Sequence, residues 1–185
     1  RSIETCLRVL RNIYRHCDAP RDLPFSPKYL PRLVSFLALN ATIQEYVSVI
    51  LASCCDATDK QNDIAKLGGL EMAISMTLRS CGKGAPKCEF PRSHLEAALD
   101  ILAALTRENS EIACAVSARS ELVALFFEIL QNPNNSAEIK IFTSLCITNM
   151  VRSEGSDILK DDRVAKGLIP NLAKLLARES SVRAR

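Results

Sequence analysis

Tryptophan is absent from this 185-residue chain, and all aromatic residues together make up only 5% of it. A core without large rings must come from Leu, Ile, Val and Ala, a composition that favours helices over sheets. Glycine is scarce too, at six residues. The stretch GKGA, Gly82 to Ala85, echoes a glycine-rich phosphate loop but lacks the strand that should precede one. There are two histidines, His16 and His94, and neither stands in a nucleophile motif. G-x-S-x-G and H-E-x-x-H are missing, so no catalytic residue is assigned. No run of 18 apolar residues occurs, so no membrane-spanning helix is expected. The net charge of +3 comes from bases mixed with acids, which does not predict a nucleic-acid surface. The chain opens on Arg1-Ser2-Ile3, without Met or a signal peptide, and enters a helical pattern at once. It reads as a piece of a longer protein.

What the chain does have is apolar residues in regular order. They make up 48% of it, enough for a continuous core. Four segments look alike: IETCLRVLRNIYR, IQEYVSVILASCC, LEAALDILAALTR and IKIFTSLCITNMV. Each carries apolar residues at three- and four-residue steps, the signature of an amphipathic helix. With Leu10, Leu51, Leu102 and Ile147 aligned as equivalent core positions, the repeats are 41, 51 and 45 residues apart. These periods match armadillo or HEAT units of roughly 40–47 residues. The longest interval contains CGKGAPKCEFPR, Cys81 to Arg92, whose glycines and prolines predict an inserted loop.

A second helix type recurs between these four: YLPRLVSFLAL, GLEMAISMTLRS, ELVALFFEILQNP and LIPNLAKLLARES. Three times a shorter one precedes it: DKQNDIAKLG, NSEIACAVSARS and DILKDDRVAKG. Gly68 and Gly167 fit the left-handed residue that closes such a helix. Short, medium and long in that order is the three-helix armadillo unit, whereas a HEAT unit has two helices. The expected fold is therefore an all-α, right-handed armadillo-type solenoid of about four repeats, forming a single domain over residues 1–185. A repeat cannot bury its apolar face alone, so the outermost units should expose apolar surface.

The eight cysteines invite a metal or redox reading. Cys54 and Cys55 are adjacent, stand beside Asp56, Asp59 and Asp63, and could join His16 and Cys17 around zinc. Structural zinc sites usually pair ligands two to four residues apart, and C-x-x-C occurs nowhere. The plainer reading is helix, turn and helix, with Asp59 as N-cap of the short helix and one of the two cysteines buried. Ser93 is the expected N-cap beside His94. Cys6, Cys54, Cys114 and Cys146 fall in apolar helices and pack there as small hydrophobes. A reducing compartment, cytosol or nucleus, is expected, with no metal and no cofactor.

The order and spacing of IETCLRVLRNIY, QEYVSVILASCC, the Asp-bearing turn and the short helix ending in Gly68-Gly69 resemble the armadillo-repeat-containing protein eight family. SLCITNMVRSEGSDILKDDR resembles it as well. That family supplies the armadillo scaffold of the GID/CTLH ubiquitin ligase. The resemblance therefore implies a non-catalytic subunit whose partners are other subunits of such a ligase, in cytoplasm and nucleus. No nucleic acid, membrane or small-molecule substrate is implied.

In armadillo repeats the long helices line a concave groove. The positions that look into it are here Arg8 and Asn12, Val49 and Ser53, Asp100 and Ala104, and Leu145 and Asn149. Arg8, Arg11 and Arg15 share one helix face. The candidate partner-binding strip is Arg8, Asn12, Arg15, Val49, Asp100, Asn149 and Arg152, basic at one end and acidic towards the middle. The plain alternative is a solvated face. A catenin- or karyopherin-like groove for extended peptides is the other functional reading. The karyopherin version wants a ladder of Trp and Asn, and here Trp is missing and Asn occurs at two of the four places.

Overall fold

The computed structural model describes residues 2–81 and 91–153, which form helices joined by short connections, with no strand among them. Four long helices carry the repeat. They are α1 (Ile3–His16), α3 (Ala41–Cys54), α6 (Arg92–Thr106) and α9 (Ala137–Arg152). Medium helices are α2 (Leu30–Phe36), α5 (Gly69–Cys81) and α8 (Ser120–Gln131), and short ones α4 (Thr58–Lys66) and α7 (Ser110–Ser117). In the first unit a single 3₁₀ turn, Leu23–Phe25, stands where the later units have the short helix. No element is expected there from the sequence, because three residues with a proline carry no period. The last two expected helices, and Gly167, lie outside the described residues.

Local chemistry sets the helix ends. Ser2, Asn40, Asn109 and Ser136 each accept a hydrogen bond from the amide three residues on, which caps α1, α3, α7 and α9. Two expected caps are displaced. α4 starts two residues earlier than foreseen, with Ala57 at the cap, so Asp59 lies inside the first turn. There its charge still favours the exposed amides. α6 starts after Pro91, and Ser93 donates to the Glu45 carboxylate at 2.7 Å instead of capping. Cys81 closes α5 and Arg92 opens α6, and residues 82–90 of the expected inserted loop lie outside the described residues.

Gly68 does what its place predicted. Its φ of 84° turns the chain after α4, and its amide donates to the Ala65 carbonyl at 2.9 Å. Gly69 is needed for a different reason: a Cβ there would run into the Ile64 side chain.

Packing follows from the repeat. The long helices stand in a row, α1 on α3, α3 on α6 and α6 on α9. The medium helices form the second layer, with α5 seated on α6 and α8, and α8 on α9. Leu51, Leu102 and Ile147 are fully buried, as their shared register requires. Leu10 is not: it is 38% exposed. Its main neighbour is α3 alone, whereas α6 is held between α3, α5 and α9. Ile3, Val9 and Ile13 are also exposed on α1. No helix among the described residues is long and apolar enough to cross a membrane.

Candidate interaction surface

Arg8, Asn12 and Arg15 are exposed on α1. Arg11, which sequence spacing grouped with Arg8 and Arg15, is turned towards α3. Its guanidinium meets Glu45 at 3.1 Å and lies 4.8 Å from the centre of the Tyr46 ring. It also donates to Asn12 Oδ1 at 3.0 and 3.2 Å. Arg11 is thus a tie between neighbouring long helices, and Arg8 and Arg15 remain as the open cations.

Val49 departs from the strip. It is only 6% exposed, because α3 has a long helix on either side, so it offers almost nothing to a partner. Asp100 on α6 is half-buried, and burial pushes its carboxyl up to about 6, with the Arg15 charge pulling the other way. The α1 end of the strip is therefore felt electrostatically on α6, across α3. Asn149 is committed in part: its amide nitrogen donates to the Ala103 carbonyl and to Thr106 Oγ1, both at 3.1 Å, joining α9 to α6. Arg152 is exposed at the end of α9. With Arg107, Glu108, Leu145 and Asn149 it lines a mixed polar and apolar cleft of about 610 Å³. Sequence reasoning missed the Arg107–Glu108 part, since Glu108 reaches it through a left-handed backbone, φ 54°, at a non-glycine position.

The structure places Asp100 where its charge costs stability. Its folded-state pKa lies above the ordinary 3.8, so its stabilising share is present below about pH 4 and is lost as pH rises through about 6. Asp100→Asn should therefore raise stability at pH 7, by about 1–2 kcal/mol after allowance for partial exposure. Urea unfolding at pH 7 and pH 4 checks it, with the gain expected only at pH 7.

Polar bonds between units recur. Ser93 at the start of α6 donates to Glu45 of α3, and Ser136 before α9 donates to Glu96 of α6 at 2.9 Å. Gln61 of α4 donates to the Ala104 and Arg107 carbonyls at 2.9 and 2.8 Å, closing the end of α6. Arg107 in turn donates to the Cys55 carbonyl at 2.8 Å. His94 is fully buried between Ser80 and Gln44, 2.8 Å from each. These groups orient the long helices rather than leaving reactive atoms open.

Cys54 and Cys55 are both buried, at 0% and 1% exposure, which corrects the expectation that only one would be. The helix ends at Cys54, and Cys55 takes a non-helical backbone that folds its side chain inward too. Burial pushes their thiols up to about 11 and about 12. They are protonated at neutral pH, whereas the thiolate is the reactive and metal-binding form. Cys146 is fully buried, Cys114 half-buried, and Cys6 exposed, so Cys6 does not pack in the core as expected. Among the described residues no group of three or more His, Cys, Asp or Glu is arranged to hold a metal ion.

Three-helix units, with long helices in one layer and medium helices in the other, define an armadillo-type solenoid, a repeat surface for protein partners. No family model matches the chain. Curated proteins named armadillo repeat-containing protein 8 do match it, from Danio rerio at 23%, Mus musculus at 25% and Xenopus laevis at 23% identity. Each match covers 181 residues, or 96% of this chain. The chain is similar to these proteins along nearly all of its length and spans about a quarter of theirs.

Proposed function

We propose that this chain is a non-catalytic scaffold segment that helps assemble a RING-type ubiquitin ligase of the GID/CTLH kind, in cytoplasm and nucleus. The observation that carries the reading is the match to armadillo repeat-containing protein 8 along 96% of the chain, on a stack of armadillo units. The ligase role is the one the family resemblance implies. The surface fits a scaffold: several polar side chains tie neighbouring helices together, and Arg8 and Arg15 stand exposed on α1. The exposed cations Arg8 and Arg15 would hold acidic segments of a core subunit, with charge complementarity fixing the orientation. The groove for extended peptides is the lesser reading. Trp is missing, and the Asn149 amide is occupied by α6.

Arg8→Glu/Arg15→Glu tests the proposal. Both side chains are exposed, so the double variant should keep its fold, losing only the small support that the Arg15 charge gives the Asp100 carboxylate. In the full-length protein it should capture core ligase subunits about tenfold less well, with the deficit shrinking as salt rises. Equal capture at every ionic strength would remove the basic end of the strip as the docking site.

A further inference from the structure

Among the described residues the half-buried acids are Glu45, Glu96 and Asp100. A carboxylate drawn out of water needs donors in exchange. Glu45 has them in Arg11 and Ser93, and Glu96 has one in Ser136. Asp100 makes no hydrogen bond and no ion pair among the described residues. Arg15 acts on its charge from α1 without pairing with it. Both carboxylate oxygens are therefore left for a donor from outside.

The surroundings narrow what that donor is. The repeat register sets Val49 of α3 and Leu145 of α9 at the level of Asp100 on the neighbouring helices. Val49 is buried and Leu145 is exposed. One turn further on stand Ser53, Ala104 and Asn149, whose short side chains keep the floor low. Leu145 and Asn149 also line the cleft of about 610 Å³, so the place beside Asp100 leads into a space of its own. A guanidinium fits here better than an ammonium. Its planar fork meets both carboxylate oxygens, and its weaker hydration makes a half-buried site less costly to enter. The aliphatic stem of the same side chain can lie along Leu145.

We propose that Asp100 is the receptor for an arginine side chain of a protein partner, on a segment whose adjoining residues enter the cleft beside α9. The site needs neither a Trp nor an Asn ladder. An acid on the same segment would face Arg15, so the two charges of the strip would be read together. The inference takes the concave strip as a docking face, as proposed above, but not the identity of the ligase.

Protonation controls the site. Burial pushes the Asp100 carboxyl up to about 6, and a neutral carboxyl no longer holds a guanidinium by charge. The titratable groups that bear on it are Arg15 of α1 and the Cys146 thiol of α9, which burial keeps protonated. Among the described residues α3, α4, α5 and α7 contribute none. Affinity should therefore fall about tenfold from pH 7 to pH 5.

The probe is a short, capped Gly-Ser peptide with a central arginine-leucine pair, which has no group of its own titrating in that range. It is titrated with the full-length protein and followed by broadening of the peptide's NMR lines, which reports weak complexes. Saturable binding is expected at pH 7. Asp100→Asn should weaken it about tenfold, and citrulline in place of the arginine should do the same in wild type. The citrulline peptide should bind wild type and Asp100→Asn equally, and the pH dependence should vanish in the variant. Asp100→Asn is expected to gain stability at pH 7, so lost binding there does not come from unfolding. Absence of saturable binding, equal affinity of the arginine peptide for both proteins, or an equal loss with citrulline in both would overturn the proposal. The titration contains no ligase subunit, so its failure leaves capture through Arg8 and Arg15 standing, and the reverse also holds.

Discussion

Leu102→Ala should lower the unfolding free energy by about 2–5 kcal/mol, while Leu10→Ala should change it by less than about 1 kcal/mol. The two leucines hold the same register in their helices, so propensity and local pattern cannot separate them. Their surroundings do. Leu102 is fully buried on α6, which packs against α3, α5 and α9, so truncation leaves a cavity that rigid neighbours cannot close. Leu10 is 38% exposed, and truncation there mostly removes surface. Urea denaturation followed by helical circular dichroism decides it. Equal losses at both sites would mean that the α1 end is covered, and a small loss at Leu102 would mean that the repeat register is wrong.

His94→Ala should cost about 2–4 kcal/mol at pH 7, from the cavity and from the partners it strands. In the folded protein Gln44 donates its amide hydrogen to the Leu37 carbonyl at 2.8 Å, which turns Oε1 towards His94 Nε2. The imidazole Nε2–H then donates to that oxygen, and Nδ1 lies 2.8 Å from the Ser80 hydroxyl oxygen, which also reaches the Met76 carbonyl at 2.8 Å. Removing the ring leaves Gln44 Oε1 buried without its donor. Burial also holds the His94 pKa below its ordinary 6.5. The folded state resists the proton that the unfolded chain accepts, so this contribution is intact above about pH 6.5 and is lost as pH falls through the folded value. Asp100 works the opposite way over roughly pH 4–6, so wild type should show a blunted acid slope. Stability measured from pH 8 to pH 4.5 should fall more steeply in Asp100→Asn than in wild type, and less steeply in His94→Ala.

The repeat was legible because its signal is long. Four helices of 14–16 residues carry an apolar stripe that three- and four-residue steps reveal, and glycine at Gly68 marks a real left-handed turn. The 3₁₀ turn at Leu23–Phe25 was not legible, because a single turn has no period. Nor was the burial of Cys55, which depends on backbone that leaves the helix. The strip was legible in part. Helix periodicity puts Arg8 and Arg15 on an open face, but the inward turn of Arg11 depends on Glu45, 34 residues away. Val49 was misplaced for a similar reason: its exposure is decided by neighbours on both sides of α3, which local sequence does not contain.

The row of long helices also governs how the molecule comes apart. α6 is the principal link between the two halves of the described structure, joined to α3 on one side and α9 on the other, with α5 on α8 as the parallel contact. Opening at α1 disturbs one main neighbour and can stay local. Opening at α6 strands units too few to hold a core by themselves, so it must spread to the rest. The stack therefore behaves as a one-dimensional cooperative chain whose weakest link is terminal and whose central link sets the size of the cooperative unit.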